Sequence, residues 1–313
     1  MSITVIKPGL QTTIQSKPRT GMRHLGVASG GAADPLSLAL VNRLLGNALD
    51  APALEAALLG PTLRFDADCA FAITGAAAVA TLNGASVNFH ETLFANAGDE
   101  FVIGAAKKGA RVYVGVAGGF EADDVLGSRS TYLLAALGGH QGRALEEGDT
   151  VLLRPKEVGS LRTPDEFIPP MSSSWVLRAC ESFEASALSA DARARLFETN
   201  WTVGRRADRM GLQLDGATLD VSSSGRMPSA PVFPGTVQCP EGGTPYVLSV
   251  DAGTVGGYPR IAQVARLDQH LLGQLRPGDH VRFMRREPQA AIDELRDKIT
   301  YWRAWLPDIE QVI

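Results

Sequence analysis

The sequence has few cysteines and no long apolar run. Cysteine occurs only at Cys69, Cys180 and Cys239, an odd number at wide spacing with no CxxC pair. This pattern argues against a disulfide framework and against a zinc knuckle. No apolar run approaches the roughly 20 residues that cross a bilayer. Residues 1–10 also lack the basic and apolar regions of a secretory signal, so we expect a cytoplasmic protein.

Motifs for metals and nucleotides are missing as well. The five histidines show no metal-ligand spacing, so we predict no metal site. There is no GxxxxGK[ST] and no GxGxxG to hold a nucleotide phosphate, and neither GxSxG nor HExxH occurs. None of the six lysines has the methionine neighbours of a biotinyl-lysine. We therefore expect no cofactor to be bound by this chain alone.

The sequence also lacks a large excess of positive or negative charge. The formal net charge is −4 over 313 residues, and no basic stripe is present of the kind that neutralises phosphates along nucleic acid or a lipid surface. Small molecules or other proteins are therefore the expected partners.

Short apolar runs bounded by Gly, Pro, Asn or Asp are abundant and predict strands. They cover residues 3–6, 69–74, 100–103, 111–116, 150–153, 175–178, 246–250 and 280–283. A Gly-Asp pair precedes three of them, at Gly98-Asp99, Gly148-Asp149 and Gly278-Asp279. This recurring turn favours antiparallel, barrel-forming hairpins over a parallel sheet.

Helices are few, and three have a candidate capping residue. Asp34 before Pro35 predicts the start of a helix that stops at Gly46. Ser189 and Asp268 are the candidate caps for helices over 191–198 and 269–275, and residues 289–305 predict a helix near the end of the sequence. The resulting class is mainly β with peripheral helices.

The length suggests two domains. Residues 154–175 contain four prolines and three consecutive serines, a composition typical of a linker. We predict an N-terminal barrel over 1–160 and a C-terminal barrel with its terminal helix over 172–313.

A first candidate site lies in residues 15–34, where Arg19, Arg23 and His24 occupy a Gly-rich loop ahead of a helix start. Backbone N–H groups at such a position favour a carboxylate or phosphate. The alternative is that the arginines are solvated and that Asp34 only caps its helix.

A second candidate follows the strand at 246–250. Asp251 and Thr254 precede Gly256, Gly257 and Tyr258, a combination suited to ligand binding or acid–base chemistry. A Gly-rich hairpin without chemistry explains the same residues.

Arg209 is a weaker candidate. It could clamp a substrate carboxylate, and an ion pair with Asp208 or Asp215 is the alternative.

An ordered series of segments resembles the biotin-dependent carboxyltransferase-like family, of the allophanate hydrolase subunit 2 type. The series includes Leu44-Leu45-Gly46-Asn47 and Gly256-Gly257-Tyr258-Pro259. It covers residues 8–15, 21–27, 44–47, 54–55, 59–65, 74–76, 113–120, 138–143, 208–211 and 256–262. The family includes the C subunit of bacterial 5-oxoprolinase, the carboxyltransferase domain of urea amidolyase and a regulator of a sporulation kinase inhibitor.

The resemblance implies two cyclophilin-like β-barrel domains and a partner of the allophanate hydrolase subunit 1 type, like the B subunit of 5-oxoprolinase. It also implies an ATP-dependent opening of a lactam or amide, with ATP used through the complex. On that basis Arg19 or Arg209 holds a substrate carboxylate, and Asp251 or His24 assists proton transfer. Tyr258 is a further candidate catalytic residue, and Thr254, Gly256 and Gly257 are candidates for substrate binding. Two alternatives stay open, a non-catalytic regulator of the partner and a urea carboxyltransferase component.

Three departures from the family pattern remove polar groups. Ser16 stands where relatives carry an acidic residue, and Gly253 and Val255 stand where they carry an amide and a hydroxyl. A Ser-Glu-Gly element is replaced around Ser224-Gly225-Arg226. These losses predict a shifted substrate specificity or a weakened activity.

Overall fold

A computed structural model describes residues 1–154, 156–221 and 227–313, and it confirms a predominantly β chain with few helices. Two compact units are present. The first comprises Met1–Arg19, Gly30–Met171 and Trp302–Ile313, and the second comprises Thr20–Ser29 and Ser172–Tyr301. The continuous ranges 1–160 and 172–313 do not contain this exchange of segments. Among the described residues, no helix has both the length and the apolar character to span a membrane.

The first unit contains eleven strands within the described residues. In chain order they are β1 (Ser2–Lys7), β2 (Gln11–Gln15), β3 (Ala53–Ala57), β4 (Thr62–Phe65), β5 (Cys69–Ala77), β6 (Ala80–Leu82), β7 (Ala85–Val87), β8 (Thr92–Ala95), β9 (Glu100–Ile103), β10 (Lys108–Val116) and β11 (Thr150–Leu152).

These strands form two antiparallel sheets. One has the order β11-β1-β4-β9-β6-β7 and the other the order β2-β3-β10-β5-β8. Side chains from both sheets share one apolar core. At its centre the Phe71 ring lies 4.9 Å from Phe65 and 4.9 Å from Phe101, between ring centroids. The first unit therefore consists of two antiparallel sheets that share one apolar core.

Helix α1 (Pro35–Leu44) covers the five-stranded sheet. As predicted, Asp34 caps it, accepting a hydrogen bond from the Ser37 amide at 3.1 Å, with Pro35 in the first turn. Its apolar face packs against the sheet residues Ala72 and Tyr113. Gly115 permits this contact, because a Cβ there would lie 2.8 Å from Leu45 Cδ1.

The second unit is built on a closed barrel. Its strands are β12 (Ser174–Glu181), β13 (Trp201–Ala207), β14 (Gly211–Asp215), β15 (Ala230–Pro231), β16 (Thr236–Gln238), β17 (Tyr246–Leu248), β18 (Val255–Gly256), β19 (Arg260–Val264) and β20 (His280–Arg285). The closed order is β12-β19-β16-β17-β14-β13-β20, and β15 pairs with β18 separately. The β12–β20 pair is parallel, an exception to the predicted antiparallel pairing.

The other two α-helices lie where the sequence predicts them. Ser189 caps α2 (Ala190–Glu198) by accepting from the Ala192 amide, and α3 spans Pro288–Arg303. Short 3₁₀ segments occur at Arg23–Leu25, Leu133–Ala135, Asp165–Phe167, Phe183–Ala187, Arg266–Gln274 and Ile309–Gln311.

Two local predictions are wrong. Asp268 caps no helix, because it lies inside the 3₁₀ segment that starts at Arg266 and its carboxylate accepts from the Arg178 amide at 2.8 Å. Residues 154–175 are more than a linker, since Phe167 is buried and its ring lies 5.5 Å from that of Trp302. The prolines suggested a linker, but the composition of a segment does not show whether its side chains pack against the rest of the fold.

The three Gly-Asp pairs form the same turn. Gly98, Gly148 and Gly278 all have φ near +90°, a conformation that glycine adopts at low cost. Each following aspartate accepts from the amide three residues earlier, at 2.8 Å for Asp99, 2.7 Å for Asp149 and 3.3 Å for Asp279. The predicted turn is confirmed, twice in the first unit and once in the second.

Candidate functional site

The clearest pairing among the predicted site residues joins Arg209 and Asp251 in the second unit. Arg209 Nε donates to Asp251 Oδ2 at 2.7 Å, and Arg209 Nη2 donates to Oδ1 at 3.0 Å. Both side chains are buried. The carboxylate that Arg209 clamps is therefore Asp251, a residue that the sequence did not suggest as its partner.

Backbone hydrogen bonds bring the two residues together. The turn between β13 and β14 carries Arg209, and Asp251 follows β17, which pairs with β14. The Asp251 amide donates to the Arg209 carbonyl at 2.8 Å. Asp208 shapes the turn by accepting from the Met210 amide at 2.7 Å, so its carboxylate bonds to the turn backbone. The pair thus ties the β13–β14 turn to the segment that holds the other candidates.

Thr254 lies on that segment, beside the strand pair β15–β18. Its carbonyl accepts from the Val232 amide at 3.1 Å and from Arg23 Nη2 at 3.5 Å. Arg23 also donates to the Val232 carbonyl and lies over the Phe233 ring, 5.0 Å from its centroid. Arg23, the neighbour of His24, therefore fixes the loop at Thr254.

Gly256, Gly257 and Tyr258 form the end of the same segment. Gly256 packs closely on Gln238, and a Cβ there would lie 2.5 Å from Gln238 Nε2, so a larger residue requires this side chain to move. The Gly257 carbonyl accepts from the Met227 amide, and the Tyr258 carbonyl accepts from Gln238 Nε2 at 3.2 Å. Tyr258 itself is 49% exposed, so part of this residue is accessible to a ligand.

His24 lies in the 3₁₀ segment Arg23–Leu25, which Gly26 ends in the left-handed conformation. Its side chain is exposed. His24, Thr254 and Tyr258 all belong to the second unit, and their roles stay predictions.

Arg19 belongs to the first unit and is fully buried. It donates from Nε to the Val125 carbonyl at 3.1 Å and from Nη2 to the Ser130 carbonyl. Gly138 leaves room for it, because a Cβ there would come within 2.4 Å of Nη2. These contacts give Arg19 a role in holding the loop around Ser130, and a substrate-binding role for it stays a prediction.

A second buried polar cluster, around Glu55 in the first unit, was not selected from the sequence as a site. Glu55 Oε2 accepts from the Tyr113 hydroxyl at 2.7 Å and from the Ala33 amide at 2.8 Å, and Oε1 faces Arg111 Nε at 3.2 Å. The Tyr113 hydroxyl in turn accepts from the Asp34 amide at 2.8 Å. The sequence did contain a signal for this cluster, because Leu54-Glu55 and Tyr113 lie in segments that carry the family resemblance.

The environment of this cluster changes the acidity of its tyrosine. Burial, followed by the negative charges of Glu55 and Asp34, raises the pKa of Tyr113 well above its ordinary value. The hydroxyl therefore stays protonated and serves as a hydrogen-bond donor to Glu55. Its position beneath α1 makes the cluster a fixed support for the loop ahead of that helix.

The three departures from the family pattern have different surroundings. Ser16 is buried, and its amide donates to Ser130 Oγ at 2.9 Å. Gly253 and Val255 are exposed, and Val255 presents 59% of its surface. The replaced element at Ser224-Gly225-Arg226 lies outside the described residues.

The sequence matches the family described as carboxyltransferase domain, subdomain A and B, over residues 25–285. It is 32% identical over 305 residues to the C subunit of 5-oxoprolinase from Escherichia coli, covering 97% of this chain and 98% of that protein. The protein of the same name from Haemophilus influenzae is 34% identical over 310 residues, covering 94% and 97%.

A solved structure extends the similarity to the fold. The K. lactis urea amidolyase superimposes with a TM-score of 0.89 at 28% identity, covering 95% of this chain. The chain spans only 19% of that much longer protein. The similarity therefore concerns one part of the urea amidolyase.

Proposed function

The chain belongs to the family of carboxyltransferase domains with subdomains A and B, and on that premise we propose that it is one component of an ATP-dependent complex opening 5-oxoproline to glutamate. One observation carries the proposal: the 5-oxoprolinase C subunits of two bacteria match this chain along almost their whole length. The proposed partner is a protein of the allophanate hydrolase subunit 1 type.

The proposed reaction is hydrolysis of a lactam. Water adds to the carbonyl carbon, the C–N bond breaks, and the ring nitrogen leaves as an amine after taking a proton. Hydrolysis of ATP to ADP and phosphate drives the opening. Such chemistry needs the carbonyl to be positioned and polarised, and a group that moves a proton.

Exposed groups of the second unit suit proton transfer better than Asp251 does. Both oxygens of Asp251 accept from the Arg209 guanidinium and both side chains are buried, an arrangement that suits a positioning role for this carboxylate. His24 and Tyr258 are both exposed residues. We assign the proton-transfer role to His24 or Tyr258, and a positioning role to the Arg209–Asp251 pair.

The test is ATP hydrolysis and glutamate formation by the chain mixed with its partner protein, with and without 5-oxoproline. We expect 5-oxoproline to stimulate ATP turnover. In Tyr258→Phe the stimulated rate should fall about 10²-fold or more if Tyr258 transfers the proton. Tyr301→Phe is the matched control, since Tyr301 is also 49% exposed, and it should retain the full rate.

His24→Gln is tested in parallel against His280→Gln, a substitution of another exposed histidine of the second unit. A complex without any stimulated turnover would contradict the proposed substrate. A stimulated complex in which His24→Gln and Tyr258→Phe both keep the full rate would contradict only the proposed residues.

A second candidate function is regulation of the partner without catalysis. The exposed side chain of Val255 favours it, because an apolar group stands there in place of a polar one in the family pattern. Tight complex formation with no turnover of 5-oxoproline would support this function.

A further inference from the structure

A cavity of about 420 Å³ opens in the first unit, on residues that none of the assignments above involves. Four cationic side chains line it, those of Lys17, Arg129, Arg154 and Lys156. Two carboxylates line it as well, Asp50 and Asp124. Four positive charges minus two negative charges leave a net charge of +2 within the cavity wall. The volume lies within the range of about 300–1,000 Å³ that small-molecule sites occupy.

Among the described residues, the ion pairs that the two arginines of the cavity make are long. Arg129 Nε lies 3.8 Å from Asp124 Oδ2, and Arg154 Nε lies 4.0 Å from Glu121 Oε1. The Nε atom of Arg129 is inaccessible to solvent, and within the described residues it has no hydrogen-bond acceptor. The Arg129 side chain as a whole is 35% exposed, so an oxyanion in the cavity can approach its guanidinium and supply a charge-assisted hydrogen-bond acceptor. By contrast, Arg209 has carboxylate oxygens at 2.7 and 3.0 Å.

The backbone beneath Lys17 and Arg129 is held in place. The fully buried hydroxyls of Ser128 and Ser130 donate to the Lys17 carbonyl at 2.6 and 3.1 Å. Arg129 lies between these two serines in the sequence. The same Ser130 hydroxyl accepts from the Ser16 amide, so hydrogen bonds hold together the two segments that carry Lys17 and Arg129.

The Gly46–Asn47 and Gly118 loops form another part of the wall. Asn47 joins them, donating to the Val116 carbonyl at 2.9 Å and accepting from the Gly118 amide at 2.9 Å. Gly118 lies directly on the Arg154 backbone, where a Cβ would come within 1.6 Å of the carbonyl oxygen. Lys156 donates its ammonium to the Gly46 carbonyl. The wall is therefore built before any ligand arrives, which lowers the entropic cost of binding.

We propose that this cavity binds a small dianion whose oxygens are hydrogen-bond acceptors, either a phosphate monoester or a dicarboxylate. A doubly negative ligand neutralises the net charge of the wall, and its oxygens can accept from the arginine and lysine side chains that line the cavity. The site is separate from the Arg209–Asp251 pair, and binding at it requires neither ATP nor a partner.

The proposal is tested by isothermal titration calorimetry of the full chain with inorganic phosphate and, separately, with succinate, at constant ionic strength. At least one probe should bind saturably with a dissociation constant below about 1 mM. Saturation by phosphate alone identifies the phosphate class, and saturation by succinate alone identifies a dicarboxylate. Absence of saturation by both probes well above about 1 mM would overturn the proposal.

Three variants locate the binding in the cavity. The double variant Lys17→Gln/Arg129→Gln should weaken binding at least about tenfold. The matched control Lys107→Gln/Arg162→Gln makes the same charge change on exposed residues of the same unit and should bind like the unchanged chain. Asp124→Asn should tighten binding severalfold, because it raises the net charge of the wall from +2 to +3.

Asp124 is half exposed, so its variant should fold even if the double variant does not. Equal weakening in the control and the double variant, or unchanged binding in both Asp124→Asn and the double variant, would place the anion elsewhere and overturn the proposal.

Discussion

Two buried arginine–carboxylate pairs, one in each unit, are held in different ways. In the second unit the described hydrogen bonds to the Asp251 carboxylate come from Arg209. In the first unit Glu55 faces Arg111 and also accepts from the Tyr113 hydroxyl and the Ala33 amide. A buried charge that depends on a single partner is exposed to the full desolvation cost when the partner is lost, whereas a network spreads that cost. The comparison therefore predicts unequal responses to mutation.

The largest effect is expected from Arg209→Met. It leaves the Asp251 carboxylate buried without its described donors, which should lower the free energy of unfolding by about 3–5 kcal/mol. Denaturant unfolding followed by circular dichroism measures this loss. The double variant Asp251→Leu/Arg209→Met removes both charges and should recover most of it. A loss below about 1 kcal/mol in the single variant would show that the pair resembles a solvated surface pair.

The stability of the first unit should depend on pH through His90, a buried residue outside the Glu55 network. Burial lowers the pKa of His90 from 6.5 to about 4, and its Nδ1 has no hydrogen-bond partner among the described residues. Between these two pKa values the unfolded chain binds a proton that the folded chain excludes. The stability contributed by neutral His90 is therefore present above pH 6.5 and falls as the pH drops towards 4, by up to about 3 kcal/mol.

His90→Asn separates this effect from the protonation of carboxylates. His90 has φ of +63°, a conformation that asparagine tolerates better than most residues. Unfolding free energies measured from pH 7 to 4 should decline less steeply in His90→Asn than in the unchanged chain. If the free energies of unfolding of His90→Asn and of the unchanged chain decline in parallel, the acid sensitivity comes from the carboxylates alone.

Arg111→Met tests the network directly. Because Glu55 keeps the Tyr113 and Ala33 donors, the expected loss is about 2 kcal/mol. Arg209→Met should cost clearly more, since it removes both described donors to Asp251. If Arg111→Met and Arg209→Met lower the free energy of unfolding equally in chemical denaturation, the proposed difference between the two buried pairs is wrong.

The smallest effect is expected from Tyr113→Phe, which deletes one oxygen from the network. Glu55 loses its hydroxyl donor and the Asp34 amide loses its acceptor, while the ring packing stays. We expect a loss of about 1 kcal/mol, visible as a lowered denaturant midpoint. Tyr132→Phe, in another tyrosine of the same unit that is nearly buried, serves as a comparison for the loss of a hydroxyl outside the network.

The parts of the fold that local chemistry determines could be predicted from the sequence. The Asp34 and Ser189 caps and the three Gly-Asp turns depend on atoms within three residues of each other, and all are confirmed. The predicted strands also occur. Other strands were not predicted, among them β13 with seven residues and β3 with five. Ala53–Ala57 shows one reason, because it contains none of the β-branched or aromatic residues that favour strands.

Contacts between distant residues could not be predicted in the same way. Arg209 and Asp251 are 42 residues apart, and Asp208 and Asp215 were the nearer candidates. Asp268 has the composition of a cap, but its carboxylate is used by Arg178, 90 residues away. Both cases depend on which strands become neighbours, and that is decided by the whole barrel.

The exchange of segments between the units has a consequence for the order of synthesis. Trp302–Ile313 belongs to the first unit but follows Ser172–Tyr301, a stretch of about 130 residues in the second unit. At translation rates of about 5–20 residues per second, the ribosome needs roughly 6 to 26 seconds for that stretch. During this interval the nascent first unit lacks Trp302, the ring against which Phe167 packs. The unit that leaves the ribosome first is therefore completed last, and a chaperone that shields Phe167 would act in that interval.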